Sequence, residues 1–446
     1  MIIALELIIF FACILIGARL GGIALGTVAG IGLAIFVFIF ALPPGGPPPG
    51  VLGMIIAVIT ALATMQAAGG LDYLVSLAEG VMRKHPQHIV FIAPIATYLL
   101  VLGSGTTHVI YALLPVISEV ARKGGIRPER PLSISVIAGF QGATASPISA
   151  STVAMLGFLS AQGVTLPRIL AIIIPATFIA MIIGALSVAW RGKNLADDPE
   201  YQRRLANGEL KVTESAAATR ETSLRNARGS MILFVSGIIA VVLIGLFPAL
   251  RPTYQVLTSD GGIDTDQVSM GYAIMIVMIA VAGLTMILFR ASPETAIKGT
   301  IMRSGVTAII SILGISWLGS SFFEGNRSAI VAGISSLVKI YPISFALGMF
   351  LLSTMLFSQA ATVSLMVPVG KALGMSPSML VGFYPAANGL FFVPTYGTLL
   401  AAVSFDQTGT TKIGKYLLNH SFMRPGLVTL AVGLLISIGL SKLLLP

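Results

Sequence analysis

Four small groups of hydroxyl and amide side chains interrupt long apolar stretches of this chain, and they fall into two matched pairs. In the first pair, Ser104, Thr106, Thr107 and His108 correspond to Ser358, Gln359 and Thr362. Each group is flanked by apolar runs that begin at a proline (Pro86, Pro342) and end in a Pro-Val (Pro115-Val116, Pro368-Val369). In the second pair, Thr144, Ser146 and Ser149 correspond to Thr395, Tyr396 and Thr398, with Asn388 shortly upstream. A helix broken inside a bilayer bares N–H and C=O groups, which is tolerable only where they line a cavity or meet a solute. The N-terminus of a half-helix carries partial positive charge and free N–H donors, so it receives a carboxylate without a full cation. Serine and threonine hydroxyls add donors at little steric cost. The chemistry offered is the reception of a small organic anion from two sides.

A competing account assigns these hydroxyls to packing and to back-bonding onto the preceding turn, as small residues behave in membranes. Taken singly, each serine or threonine fits either account; matched clusters at corresponding places favour binding. Ser104 and His108 stand at i and i+4, the spacing that would place a nucleophile and a base on one helix face, as in an intramembrane serine hydrolase. Against that reading, Gly103 and Gly105 flank Ser104 and argue for a break. The second copy has Thr362 where a base would be required. His108 could also titrate near neutral pH and serve proton coupling, and Asp406 is the carboxylate next after the second broken segment. The chain shows no metal-ligand cluster, P-loop or dinucleotide motif, so no cofactor and no metal are expected.

Composition dictates what must position these groups. Of 446 residues, 56% are hydrophobic and 10% charged, whereas a soluble domain carries about 25% charged residues. The expected fold is an all-α integral membrane protein. Ten crossings are expected at about 2–17, 23–42, 51–69, 131–162, 167–190, 230–248, 269–289, 304–322, 379–406 and 426–444. Two re-entrant helical hairpins, 88–121 and 342–370, complete it. Basic residues mark the cytoplasmic face. With both chain ends outside, that face receives 21 of the 27 Lys and Arg. The two hairpins then enter from opposite sides, making residues 1–190 and 230–446 inverted-topology repeats. Paired interrupted segments in two halves are the sequence signature of a secondary transporter's site. The polar segment 191–229 reads as a cytoplasmic linker, and amphipathic stretches at 71–84 and 327–340 as helices lying along the interface. The net charge of +10 fits this topology and contact with anionic lipid better than nucleic acid.

Several short motifs carry a resemblance: Gly17-Ala18-Arg19-Leu20-Gly21-Gly22, Ala68-Gly69-Gly70-Leu71-Asp72, Gly125-Ile126-Arg127-Pro128-Glu129-Arg130-Pro131, Ala145-Ser146-Pro147, Ser358-Gln359-Ala360-Ala361, Thr408-Gly409-Thr410-Thr411 and Asn419-His420. With them the chain resembles, almost end to end, the Dcu family of anaerobic C4-dicarboxylate transporters. The resemblance implies a bacterial inner-membrane carrier of fumarate, succinate, malate and aspartate that works largely by exchange. It also implies kinship with a superfamily of paired-hairpin, elevator-type carriers that are commonly homodimers. A cation-coupled symporter of the same solutes is the nearest alternative. Thr106-Thr107-His108 and Thr395-Tyr396-Gly397-Thr398 depart from the family's usual runs, which bears on substrate preference more than on class.

Overall fold

The computed structural model describes residues 2–47, 49–207, 223–257, 263–326, 328–329, 340–394, 396–413 and 419–445, except for the side chains of Ala18, His108, Leu257 and Ser304. The chain is almost wholly helical, for the reason its composition demands: in hydrocarbon a backbone must satisfy its own hydrogen bonds. The first half runs α1 (Ile2–Leu20), α2 (Ala24–Ala34), α3 (Pro49–Ala67), α4 (Gly70–Lys84), α5 (Ile89–Ser104), α6 (Ile110–Lys123), α7 (Glu129–Ala145), α8 (Ala150–Leu159) and α9 (Leu166–Val188). A short α10 (Pro199–Ala206) follows. The second half continues with α11 (Leu224–Leu246), α12 (Met270–Phe289), a small α13 (Pro293–Lys298) and α14 (Thr300–Gly325). Then come α15 (Ile343–Leu356), α16 (Gln359–Ala372), α17 (Pro377–Gly382), a 3₁₀ segment (Tyr384–Phe391), α18 (Gly397–Phe405) and α19 (Met423–Leu444).

Among the described residues, eight stretches are long and apolar enough to cross a membrane, and α1, α2 and α15 are shorter apolar helices. One of the eight is Pro86–Ser104, which the sequence reading assigns to a hairpin arm. Segment 379–406 is divided into α17, the 3₁₀ segment and α18, none of them long enough alone. α4 forms where an amphipathic helix is expected, burying Leu71 and Met82. Its expected counterpart at 327–340 lies almost entirely outside the described residues.

Two elements depart from the all-α expectation or extend it. The polar connection between α11 and α12 folds into an antiparallel ribbon, Thr253–Leu257 against Ile263–Gln267. Its alternation of Tyr254 and Val256 with polar residues is strand-like and too short to register in a scan for helices. In segment 191–229, the Asp198-Pro199 pair starts α10 with a carboxylate cap that accepts from the N–H groups of Glu200 and Tyr201.

Packing sorts the helices into two bodies. α1, α2, α3, α11, α12 and α14 pack on one another. α5 to α9 and α15 to α19, with the 3₁₀ segment, form the other. α2 meets α14 through Gly26 and Gly314: a Cβ on either would sit 2.0 Å from a backbone oxygen of the other helix. Only glycine permits that approach, the close-packing device of membrane helices. The bodies touch where α14 meets α16 and where α3 meets α8.

Candidate functional site

Helix breaks form beside Ser104 and beside Ser358, by different local means. α5 stops at Ser104 because Gly105 turns into the left-handed region (φ 69°) and donates its N–H to Val101 O at 2.7 Å. A Cβ at Gly105 would also lie 2.9 Å from Ile148 Cγ1, so glycine is needed for conformation and for clearance alike. In the second hairpin the left-handed residue is Phe357 (φ 49°), an uncommon choice that local packing must hold. Its ring stacks 6.3 Å from that of Tyr396. Ser358 then caps α16, its Oγ accepting from Ala361 N–H at 3.1 Å.

The second broken segments supply the opposing walls. α7 ends at Ala145, residues 146–149 bridge the gap, and Ser149 caps α8 by accepting from Thr152 N–H at 3.2 Å. In the other half the 3₁₀ segment carries Asn388 at φ −93°, ψ 27°, a non-helical kink. α18 begins after Tyr396 without a side-chain cap. Thr398 Oγ1, in its first turn, is buried and has no hydrogen-bond partner.

These pieces converge on Asn388. Its side chain, 1% exposed, accepts at Oδ1 from Thr144 Oγ1 (3.0 Å) and from Gln359 Nε2 (2.5 Å). Gln359 Nε2 also reaches Phe140 O at 2.9 Å. Thr107 Oγ1 lies 3.5 Å from the Tyr396 hydroxyl, and the Phe140 and Tyr396 rings meet edge to face at 5.5 Å. The turn after α5 and the start of α16 therefore each contact a broken segment of the opposite half. Four breaks, each with bared main-chain donors or acceptors, gather around a small set of neutral donors with no fixed cation among them.

Not every expected residue faces this junction. Ser149 is engaged with Ser151 and Thr152, in a network completed by the Tyr384 hydroxyl at 2.7 Å from Ser151 Oγ. Thr362 back-bonds to Ser358 O at 2.8 Å, and Ser146 Oγ accepts from Ile148 N–H; all three act locally, as the packing account has it. Ser104 Oγ reaches Val101 O and Thr106 O at the hairpin tip. Thr395 and the side chain of His108 lie outside the described residues. The break at Gly105 nonetheless separates Ser104, on α5, from residue 108, which belongs to the next 3₁₀ turn. The two do not share a helix face, and the geometric premise of a hydrolase pair is gone. Asp406 stands past the far end of α18 and is 3% exposed. Its two oxygens accept from Thr408 N–H and Oγ1, Thr410 Oγ1 and Thr411 N–H. The carboxylate organises the Thr408–Thr411 turn. Among the described residues, no group of three His, Cys, Asp or Glu is placed to hold a metal ion.

One polar centre went unread in the sequence. Arg127 Nε donates to Glu129 at 2.6 Å and its Nη1 to Asp198, all three side chains being nearly buried. Glu129 also accepts from Ser421 Oγ at 2.8 Å. Arg130 donates to the carbonyls of Arg191 and Gly192, and Arg204 to that of Gln407. Hydrogen bonds from Arg203 and Arg204 hold the Glu200 carboxyl down to about 2. The first part of the expected linker, 191–207, is thereby fastened to α7 and to the turn that follows α18. The Asp-Pro cap was the available signal, since it marks a helix start.

The profile of the family described as "Anaerobic c4-dicarboxylate membrane transporter", DcuA_DcuB, matches residues 2–445. The chain is 39% identical to the C4-dicarboxylate transporter DcuA of Wolinella succinogenes over 97% of both chains. It is 39% identical to the anaerobic C4-dicarboxylate transporter DcuB of an Escherichia coli strain, again over 97% of each. Among solved structures, the YdaH transporter of Alcanivorax borkumensis superposes with a TM-score of 0.56 at 17% identity, covering 89% of this chain and 84% of that one; this likeness concerns the fold alone. With 39% identity over nearly its whole length and a profile match from end to end, the chain belongs to the DcuA_DcuB family of anaerobic C4-dicarboxylate membrane transporters.

Proposed function

We propose that this protein is a secondary transporter of the bacterial inner membrane that exchanges C4-dicarboxylates such as fumarate, succinate, malate and aspartate. The observation that carries the proposal is the meeting of three interrupted segments at Asn388, with Thr144 and Gln359 donating to one amide oxygen from opposite halves, while the fourth break reaches Tyr396 through Thr107. The names of its relatives support the solute class. A carboxylate arriving at the junction would compete with the amide oxygen for those donors. The α18 N-terminus, with Thr398 Oγ1 unpartnered, offers a second positive end of a helix dipole. Two anion-receiving places on different elements suit a solute with a carboxylate at each end.

The packing pattern supports inverted repeats. α1 on α2 corresponds to α11 on α12, α2 on α14 to α12 on α3, and α8 on α16 to α18 on α6. Exchanging the halves maps each of these contacts onto its counterpart. α5 with α6 and α15 with α16 are the re-entrant hairpins in this reading, in a ten-crossing topology with both termini periplasmic. The α5–α9, α15–α19 body is the part that carries solute past the other in an elevator motion. A homodimer would fix the second body in the membrane. Sodium- or proton-coupled symport is less favoured because Asp406, the candidate coupling carboxylate, already has four donors within its own turn.

The test is counterflow into liposomes loaded with succinate, with two- to six-carbon mono- and dicarboxylates as competitors. Two-ended recognition predicts that monocarboxylates compete poorly, because each leaves one buried donor set unpaired at a cost of about 1–3 kcal/mol. Acetate competing as well as succinate would refute it.

A further inference from the structure

A cavity of about 700 Å³ opens between the two bodies, at the end of the bundle opposite the Arg127–Glu129 centre. Its place follows from α9, whose first residue, Leu166, lines the cavity. The other end of that 23-residue helix, Val188, leads into Arg191 beside Glu129. One wall is Leu156, Phe158 and Leu166, from α8 and the turn into α9; the other is Met54 of α3 with Met270 and Met275 of α12. Flexible methionines and an aromatic ring make an adaptable apolar surface.

A single charged side chain, Arg251, completes the lining. It follows the 3₁₀ turn Pro248–Leu250 at the end of α11, which is the headgroup level for a helix that spans the bilayer. Its Nη1 donates to Val268 O at 3.3 Å, while its Nε is buried without a hydrogen-bond partner. A guanidinium on an otherwise apolar wall calls for an anionic oxygen, and phosphate is its best geometric match. Among the described residues no acidic side chain lines the cavity, so none of them would meet the cation of a zwitterionic headgroup. A free phosphate would in turn leave the apolar walls wet.

We infer that this cavity holds an anionic phospholipid, with its phosphate on Arg251 and an acyl chain between Met54, Phe158 and Met270. The lipid would touch both bodies and so act as a wedge between them. The inference is independent of which solute is carried.

The test uses full-length protein with Trp190 and Trp317 changed to Phe and a reporter Tyr272→Trp at the cavity rim, in vesicles of phosphatidylcholine or phosphatidylglycerol with brominated chains. Phosphatidylglycerol should quench the reporter more strongly at equal mole fraction. It should also remain bound to the purified protein in native mass spectrometry. Arg251→Gln should lower that retention about tenfold, the effect of losing one charge-assisted hydrogen bond. Arg251→Lys should retain part of it. Arg168→Gln, removing another charge from the same end outside the cavity, should change nothing. Equal quenching by the two lipids overturns the proposal even if Arg251→Gln fails to fold, since that comparison needs Arg251 intact. Unchanged retention in a folded Arg251→Gln also overturns it, as does displacement of the lipid by millimolar inorganic phosphate.

Discussion

Thr144 and Asn388, separated by 244 positions in the chain, share a hydrogen bond of 3.0 Å at the junction of two helix breaks. Gln359 donates to the same amide oxygen. A single acceptor thus holds donors from α7 and α16, elements of opposite halves. In a buried setting each of those donors needs a partner. The amide supplies one internally, and a carboxylate oxygen has the acceptor chemistry to take its place.

Asn388→Ala should therefore act on binding more than on assembly. It removes the acceptor they share and leaves Thr144 and Gln359 only their bonds to Phe140 O, a change of about 1–3 kcal/mol. We expect the half-saturating succinate concentration to shift by about 10- to 100-fold, while the protein still inserts and purifies. Ser353→Ala is the comparison: Ser353 Oγ accepts from Gly389 N–H at 2.9 Å and only supports the segment. A variant in which Asn388→Ala lowers the melting temperature yet succinate stabilises it as in the wild type would count against Asn388 as a site residue.

Accessibility gives a second check on the junction. In a Cys13→Ala background, single cysteines replacing Ser104 and Ser358 should each react with a membrane-permeant thiol reagent. Fumarate or succinate should protect both. Cys13 is buried among α1, α2 and α14, so removing it leaves the site untouched. Labelling indifferent to substrate at both positions would move the site elsewhere.

Much of this junction could be read from residue order alone. Gly103 and Gly105 around Ser104, and the prolines bounding each hairpin, announce chain breaks through backbone physics that needs no tertiary context. The long apolar runs fixed α3, α9, α12 and α19 within a few residues. What escaped was whatever depends on distant partners. Phe357 in the left-handed region has no sequence signature, since phenylalanine there is held by Tyr396. Asn388 looked peripheral because nothing local reveals that Thr144 and Gln359 close on it. The four donors that Asp406 accepts from, all of them within five residues, are likewise not announced by its place after α18. The Thr408–Thr411 hydroxyls were the clue, being short polar residues that cap a neighbouring carboxylate. Arg127, Glu129 and Asp198 are ordinary surface types, and only burial makes them a centre.

That centre makes a stability prediction. Arg127 holds two carboxylates that are themselves nearly buried, with side-chain exposures of 6% for Glu129 and 8% for Asp198. Removing one partner of a buried ion pair strands the others, at a cost on the order of 3–5 kcal/mol. Arg127→Met should lower the melting temperature in detergent and expose 191–207 to protease. The triple change Arg127→Met, Glu129→Gln, Asp198→Asn should recover part of the loss, because no uncompensated charge is left. Single and triple variants of equal stability would show that the ion pairs contribute little.

The last prediction concerns energetics. Moving one charge through 100 mV is worth about 2.3 kcal/mol, so a dianion entering alone against an inside-negative potential costs about 4.6 kcal/mol per 100 mV. Two or more accompanying cations would offset this, or a dianion leaving by the same site. Coupling through side chains would require a carboxylate free to bind and release its cation near the junction. Asp406, the one proposed, is committed to its turn, and the Asn388 junction is built from neutral groups. Exchange needs no such residue, because equal charges travel in both directions. Liposomes loaded with unlabelled succinate should therefore take up labelled fumarate far faster than empty ones, with little response to an imposed potential. Asp406→Asn should lower stability, since Thr408 and Thr410 lose a charged acceptor, but leave the requirement for internal succinate intact. Uptake by empty liposomes at the loaded rate, driven by a sodium or proton gradient, would mean that main-chain carbonyls at the helix breaks bind the cation that no side chain provides.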